Sequence, residues 1–214
     1  MRRSAIVIAL VVPAAFMLLS PGRCAAWDPG GQNSTIPGMI RLVGHDGRGT
    51  PDPIGLFTVT VRDLANDPVR GAKVDVDFSS CPDALLSSVQ ESGITVVCAA
   101  RTVSAFTDAA GRVTMSLIGS ARSGLPANGP AKIYADGVLL GSVDVSMFDL
   151  DGSDGVHGSD LAAWAADFVS GTNPARSNFD GVGLVGGGDL AWWAGVFIKG
   201  TSILGARSLE QNCP

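Results

Sequence analysis

Polar and apolar positions alternate along three stretches of the chain. Phe57, Val59 and Val61 alternate with Thr58, Thr60 and Arg62; Val74, Val76 and Phe78 with Lys73, Asp75 and Asp77; Val113, Met115 and Leu117 with Arg112, Thr114 and Ser116. Successive side chains of a strand point to opposite faces, so each stretch predicts a strand with one face on a core and one in water. Turn chemistry separates them at Asn66-Asp67-Pro68, Ala110-Gly111 and Asp136-Gly137. No helical period is sustained between Met39 and Val145, which reads as antiparallel strands over one core.

Beyond Asp149 the period changes and the chain repeats itself. Asp149, Asp151, Gly152, Val156, Asp160, Leu161, Trp164, Ala165 and Phe168 recur as Asn178, Asp180, Gly181, Val185, Asp189, Leu190, Trp193, Ala194 and Phe197, each 29 positions later. Each unit is a Gly- and Asp-rich loop followed by apolar residues at helical spacing. Trp164, Trp193, Phe168 and Phe197 are expected in a core shared by the two helices, with Val156 and Val185 paired across the loops. Trp192, beside Trp193, points off that face and is a candidate contact residue.

The first loop, DLDGSDGVHGSD, carries oxygen-bearing residues at positions 1, 3, 5 and 12, the spacing by which a twelve-residue loop wraps calcium. Asp149, Asp151, Ser153 and Asp160 stand there; Gly155 offers a backbone carbonyl at position 7, and His157 sits at the often water-mediated position 9. Asp154 replaces the glycine favoured at position 6, where a positive φ is wanted. The second loop is poorer. Asn178, Asp180 and Asp189 match positions 1, 3 and 12 and Leu184 supplies the position-7 carbonyl, but Val182 stands at position 5. With two carboxylates it attracts a cation less than the first. The alternative is that both loops are metal-free turns.

Composition agrees with loops and hard-cation chemistry. All 20 acidic residues are Asp except Glu91 and Glu210. A net charge of −5 argues against nucleic acid, which rewards clustered Lys and Arg. Arg2 and Arg3 followed by the apolar run Ala5 to Leu19 predict a signal peptide, with cleavage before Trp27. The run is too short to span a membrane, so the mature chain is expected to be secreted, extracellular or in the cell envelope. In an oxidising compartment Cys81 and Cys98, on either side of one polar loop, are expected to bridge, with Cys213 outside that bridge. His45 and His157 are the only histidines and neither stands in a catalytic motif, so no enzyme activity is expected.

Two resemblances follow from these residues. VTVRDLANDPVRGAKVDVDF (Val59 to Phe78) and FTDAAGRVTMSL (Phe106 to Leu117) resemble bacterial immunoglobulin-like domains of the invasin and intimin type. The loop-then-helix pair resembles a type I dockerin. The implied fold is mostly β: an immunoglobulin-like β-sandwich followed by a small α-helical dockerin or EF-hand-like repeat domain. The divisions are 1–26 signal peptide, 27–37 linker, 38–148 sandwich, 149–200 repeats and 201–214 tail. The resemblance implies calcium as cofactor, a cohesin-type protein partner and an association with extracellular polysaccharide breakdown. It also implies that loop positions 10 and 11 contact the partner, here Gly158-Ser159 and Gly187-Gly188, all small. The alternative function is a self-contained surface protein in which the repeats only cap the β domain. The repeats are expected to melt apart from the sandwich, and only their transition to move with calcium.

Overall fold

The structure, a computed structural model, describes residues 28–122, 129–171, 174–200, 202, 204 and 213. The expected signal peptide and most of the tail lie outside these residues. Among the described residues ten strands form: β1 (Met39–Val43), β2 (Phe57–Thr60), β3 (Lys73–Asp77), β4 (Ala84–Leu86), β5 (Thr95–Val97), β6 (Thr102–Phe106), β7 (Arg112–Met115), β8 (Leu117–Ala121), β9 (Ala131–Ala135) and β10 (Val138–Met147). Two helices follow, α1 (Gly158–Ser170) and α2 (Gly187–Lys199). None of the described helices is long and apolar enough to cross a membrane.

Most of the alternating positions lie on strands with the expected faces; Ser116, expected in water, is buried between β7 and β8. Phe57, Val59, Val74, Val76, Val113 and Met115 are buried, while Thr58, Lys73, Arg112 and Thr114 are exposed. Asp136-Gly137 turns β9 into β10 with both residues at positive φ, the two-residue hairpin geometry that Asp-Gly favours.

The arrangement of those strands overturns the expected sandwich with a separate helical domain. Eight strands hydrogen-bond in one continuous order, β4-β8-β1-β10-β9-β3-β6-β5, and curl into a half-barrel. The pair β2-β7 adds Phe57, Val59, Val113 and Met115 to the same core. The continuity comes from β10. Its first half pairs antiparallel with β9 and its last four residues pair parallel with β1, after a register shift between Leu139 and Gly141. β1 also pairs parallel with β8. Alternation in a sequence shows which face of a strand is buried, not which strand lies beside it, and these parallel pairings had no signature. Residues 28–37, expected as a linker, join the sheet's surroundings: Thr35 exchanges backbone hydrogen bonds with Thr60, and Gly30 N donates to Arg62 O.

The expected Cys81–Cys98 bridge is also overturned. Cys98 bonds to Cys213, whose N–H donates to Leu86 O of β4 at 3.0 Å. Cys81 is a buried free thiol that donates to Gly129 O at 2.9 Å; burial pushes its pKa up to about 12.

The helices do not stand apart from the sheet. Val43 of β1 and Phe148, just after β10, share one apolar cluster with Leu150, Val156, Trp164, Phe179, Val185, Trp193 and Val196. Phe148 stacks on Phe179, ring centroids 4.7 Å apart. The Arg41 guanidinium lies 4.4 Å from the Trp192 ring centroid, and Arg41 Nε donates to Phe179 O at 2.5 Å.

Candidate metal centre

Both repeat loops close through the carboxylate at position 12. Asp160 Oδ2 accepts from His157 N at 2.7 Å, and Asp189 Oδ2 accepts from Gly186 N at 2.7 Å. Each acid thereby caps the residue that precedes its helix, where a negative charge also favours the helix N-terminus. Their other oxygens reach back into the loops: Asp160 Oδ1 accepts from Leu150 N and Asp151 N, and Asp189 Oδ1 accepts from Asp180 N. Gly171 and Gly200, both left-handed, end the two helices in the same way. Helix capping therefore accounts for position 12 in both units.

What distinguishes the first loop is the company Asp160 keeps. One carboxylate oxygen from each of Asp149, Asp151 and Asp160 lies within 4.8 Å of the others. Asp149 is 2% exposed and Asp160 is fully buried. Asp149 Oδ1 accepts from Ser153 N at 3.1 Å, and its Oδ2 accepts from Asp154 N and Gly155 N at 3.2 and 2.9 Å. Burial pushes the Asp149 carboxyl up to about 6; the Gly155 hydrogen bond works against this and the nearby Asp160 and Asp151 charges add to it. Burial likewise raises Asp160, opposed first by the His157 N–H. For Asp151 burial is also the largest single effect, but hydrogen bonds led by Ser153 outweigh it and hold the group below the usual range.

Three converging hard oxygen donors, two of them on buried carboxylates, fit a divalent cation of the calcium type. Asp154 takes φ 91°, the position-6 geometry that the sequence called for without a glycine. Ser153 is exposed beside the cluster, and its N–H also donates to Asp151 Oδ1. The Gly155 carbonyl is 2.9 Å from His157 Nδ1, so positions 7 and 9 pair with each other. Val156 N–H donates to Ser202 O at 3.0 Å, and the Val156 and Val185 side chains lie in one apolar cluster.

The second loop brings no such cluster together among the described residues. Asn178 Oδ1 accepts from Gly181 N while its Nδ2 donates to Gly183 O, so an amide spans the loop where unit one has a carboxylate. The positive charge near Asp180 comes from Arg41: burial lowers its pKa, and attraction to Asp180 is the opposing cause. The Leu184 side chain is 76% exposed. A fixed guanidinium and an amide give loop two an electrostatic balance of its own.

The contact candidates Gly158 and Ser159 open α1 and are exposed; Trp192 is 37% exposed but has Arg41 against its ring. Trp164 and Trp193 are buried as expected. Phe168 and Phe197 are not: they are 51% and 47% exposed, each stacked on the Trp of its own helix. Val169 and Ile198 beside them are still more exposed, and Phe168 and Leu184 border a recess of about 150 Å³. The signal for this surface was present: Val196, Phe197 and Ile198 are consecutive, and 100° steps around a helix prevent all three from facing one core. Comparison of the chain with protein-family models, with curated proteins and with solved structures returns no match.

Proposed function

We propose that this chain is an exported, non-catalytic binding protein whose paired loop-and-helix repeats hold calcium and dock onto a second protein. The dockerin resemblance makes that partner cohesin-like and ties the chain to extracellular polysaccharide breakdown. The observation that carries the reading is a cluster of three carboxylates, two of them buried, in a repeat pair whose helices leave apolar side chains in water at equivalent places. Phe168, Val169, Phe197 and Ile198 fill no core, and contiguous exposed apolar surface marks an interaction face. Calcium enters through unit one. It supplies the positive charge that lets Asp149, Asp151 and Asp160 stay ionised together, and so holds α1 at a fixed angle to its loop.

A second reading has its own support. The repeats share an apolar cluster with Val43 and Phe148, and Arg41 covers one side of Trp192, as expected of a unit that caps the sheet. The two readings separate in one set of measurements. Isothermal titration with calcium is expected to give one strong site, lost in Asp149→Ala/Asp160→Ala and retained in Asp189→Ala. Purified cohesin modules, immobilised and probed with and without chelator, are then expected to bind only the calcium-loaded protein and to lose Phe168→Asp/Phe197→Asp. Calcium binding without cohesin binding favours the cap; no calcium binding removes the metal centre.

A further inference from the structure

The two repeats part company on one face of their helices. Ala163, Ala166 and Ser170 of α1 become Trp192, Gly195 and Lys199 in α2, each 29 positions on. Two of those places serve the fold in unit one: Ala163 packs against the shared apolar cluster, and the Ser170 hydroxyl donates to Asp167 O at 2.7 Å. In unit two all three line a single open recess of about 480 Å³, completed by Ala191 and by Ile54 from the segment between β1 and β2. Gly195 costs α2 stability, yet a Cβ there would meet nothing within 4 Å. Among the described residues Lys199 is in no ion pair. Trp192 is steadied from the sheet: the Arg41 guanidinium lies over its ring, Arg41 Nε is fixed on Phe179 O, and part of the indole stays in water.

We propose that this recess binds an anionic saccharide. A sugar ring lies against the indole surface that Arg41 leaves open, its edge passes over the bare backbone at Gly195, and its carboxylate or sulfate meets Lys199. The face of an indole is negative and draws the weakly positive C–H groups of a sugar. The charge of Arg41 is already shared with Asp180, which leaves Lys199 as the cation for a ligand. A peptide fits the recess less well. The backbone of α2 between Ala191 and Gly195 is paired within the helix, so it offers neither a strand edge nor a nest of free N–H groups. The volume lies in the range of small-ligand sites. Neither calcium nor the docking face enters: Trp192 and Gly195 fall on one flank of the buried Trp193 and Val196, and Phe197 on the other.

The test titrates the full chain with an oligogalacturonate, a sulfated oligosaccharide and a neutral gluco-oligosaccharide of equal length, and with an acidic peptide, followed by heat and by Trp fluorescence. Each titration is run in chelator and again in calcium, since an acidic sugar can also bridge to loop one through the metal. An anionic saccharide is expected to bind in both conditions and more tightly than the neutral one, and which one binds tells carboxylate from sulfate. Gly195→Ala is expected to weaken that binding about tenfold or more, the ordinary cost of one extra carbon in a fitted site. Its denaturation midpoint is expected to rise, so that lost binding is not lost folding. Lys199→Gln is expected to erase the preference over the neutral sugar, and Phe168→Asp/Phe197→Asp to leave the affinity unchanged. No saccharide binding, binding confined to calcium, binding that Gly195→Ala leaves unchanged, or tighter binding of the acidic peptide overturns the proposal. A failure of the cohesin experiment leaves it standing.

Discussion

Asp160 and Asp189 hold the same place in their repeats and make the same capping bond, yet among the described residues only Asp160 belongs to a cluster of three acids. The difference begins one loop turn earlier, where Asp149 in unit one corresponds to Asn178 in unit two. Asn178 satisfies its loop with its own N–H donor. Asp149 has only acceptors, is buried, and has its pKa pushed up to about 6. A pH dependence follows in chelator. The folded chain holds a proton on Asp149 up to about pH 6, whereas the unfolded chain releases it near its ordinary value of about 4. Between those values the folded state binds more protons, so this group's contribution to stability falls as pH rises and is level above about 6. Asp160 is raised too and acts in the same direction. Other carboxylates titrate in the same range, so the informative quantity is a difference. Without calcium, the gap in Tm between wild type and Asp149→Asn is expected to move in favour of wild type as pH falls from about 7 to about 4.5. A gap that does not change with pH would mean that Asp149 is not buried as an acid.

The two helices are near copies at 29-residue spacing, and their departures from symmetry are informative. Asp167 of α1 accepts from Arg176 Nε and Nη2 at 2.8 and 2.7 Å and from the Ser177 hydroxyl, pinning the turn that leads into loop two. The same place in α2 is Val196, which goes into the shared apolar cluster. Gly195 matches Ala166, and a Cβ built on Gly195 would meet nothing within 4 Å. A glycine inside a helix costs roughly 0.5–1 kcal/mol relative to alanine, and here no contact within the chain requires it. Gly195→Ala is therefore expected to stabilise the protein by about that amount, measured as a raised denaturation midpoint with an unchanged m-value. A loss of stability would show that α2 is packed more tightly on that side than its coordinates imply. Elements of this kind were legible to different depths. Helix faces, caps and loop closures could be read from spacing, because local chemistry decides them. Helical spacing alone misplaces Phe168 and Phe197, since each repeats the apolar spacing of a core residue while the core is filled by Trp164, Trp193 and Val196; only the consecutive run Val196-Phe197-Ile198 signals the exposed face. Arg41 was invisible as loop two's cation because 138 residues separate it from the Phe179 carbonyl it donates to.

At the scale of the whole molecule the question is whether the repeats and the sheet are one cooperative unit. Short helices of 13 residues each are marginal alone, so the repeats must draw stability from packing. Had that packing been confined to the two units, they would melt separately. It is not: Val43 and Phe148 from the sheet complete their cluster, and Arg41 bonds loop two from β1. Ala121 N, at the end of β8, donates to Asp149 O at 2.7 Å, and Ser202 joins loop one to Gly44 and Asp52. Removing the repeats would expose Val43 and Phe148, and releasing the loops would free the end of β8. The disulfide adds a further tie between the chain end and the sheet. The expected outcome is a single thermal transition, seen at the same temperature by far-UV circular dichroism, which reports the strands, and by the fluorescence of Trp164, Trp192 and Trp193. Calcium bound only by the folded state adds RT ln(1 + [Ca]/Kd), about 2.7 kcal/mol at a hundredfold excess over Kd. For a chain of this size that raises the common Tm by about 5–10 °C, and chelator returns it. Strand and Trp signals that separate on heating, with only the Trp signal moving with calcium, would show that the seam at Val43 and Phe148 does not transmit the energy of the loop and that the repeats fold on their own.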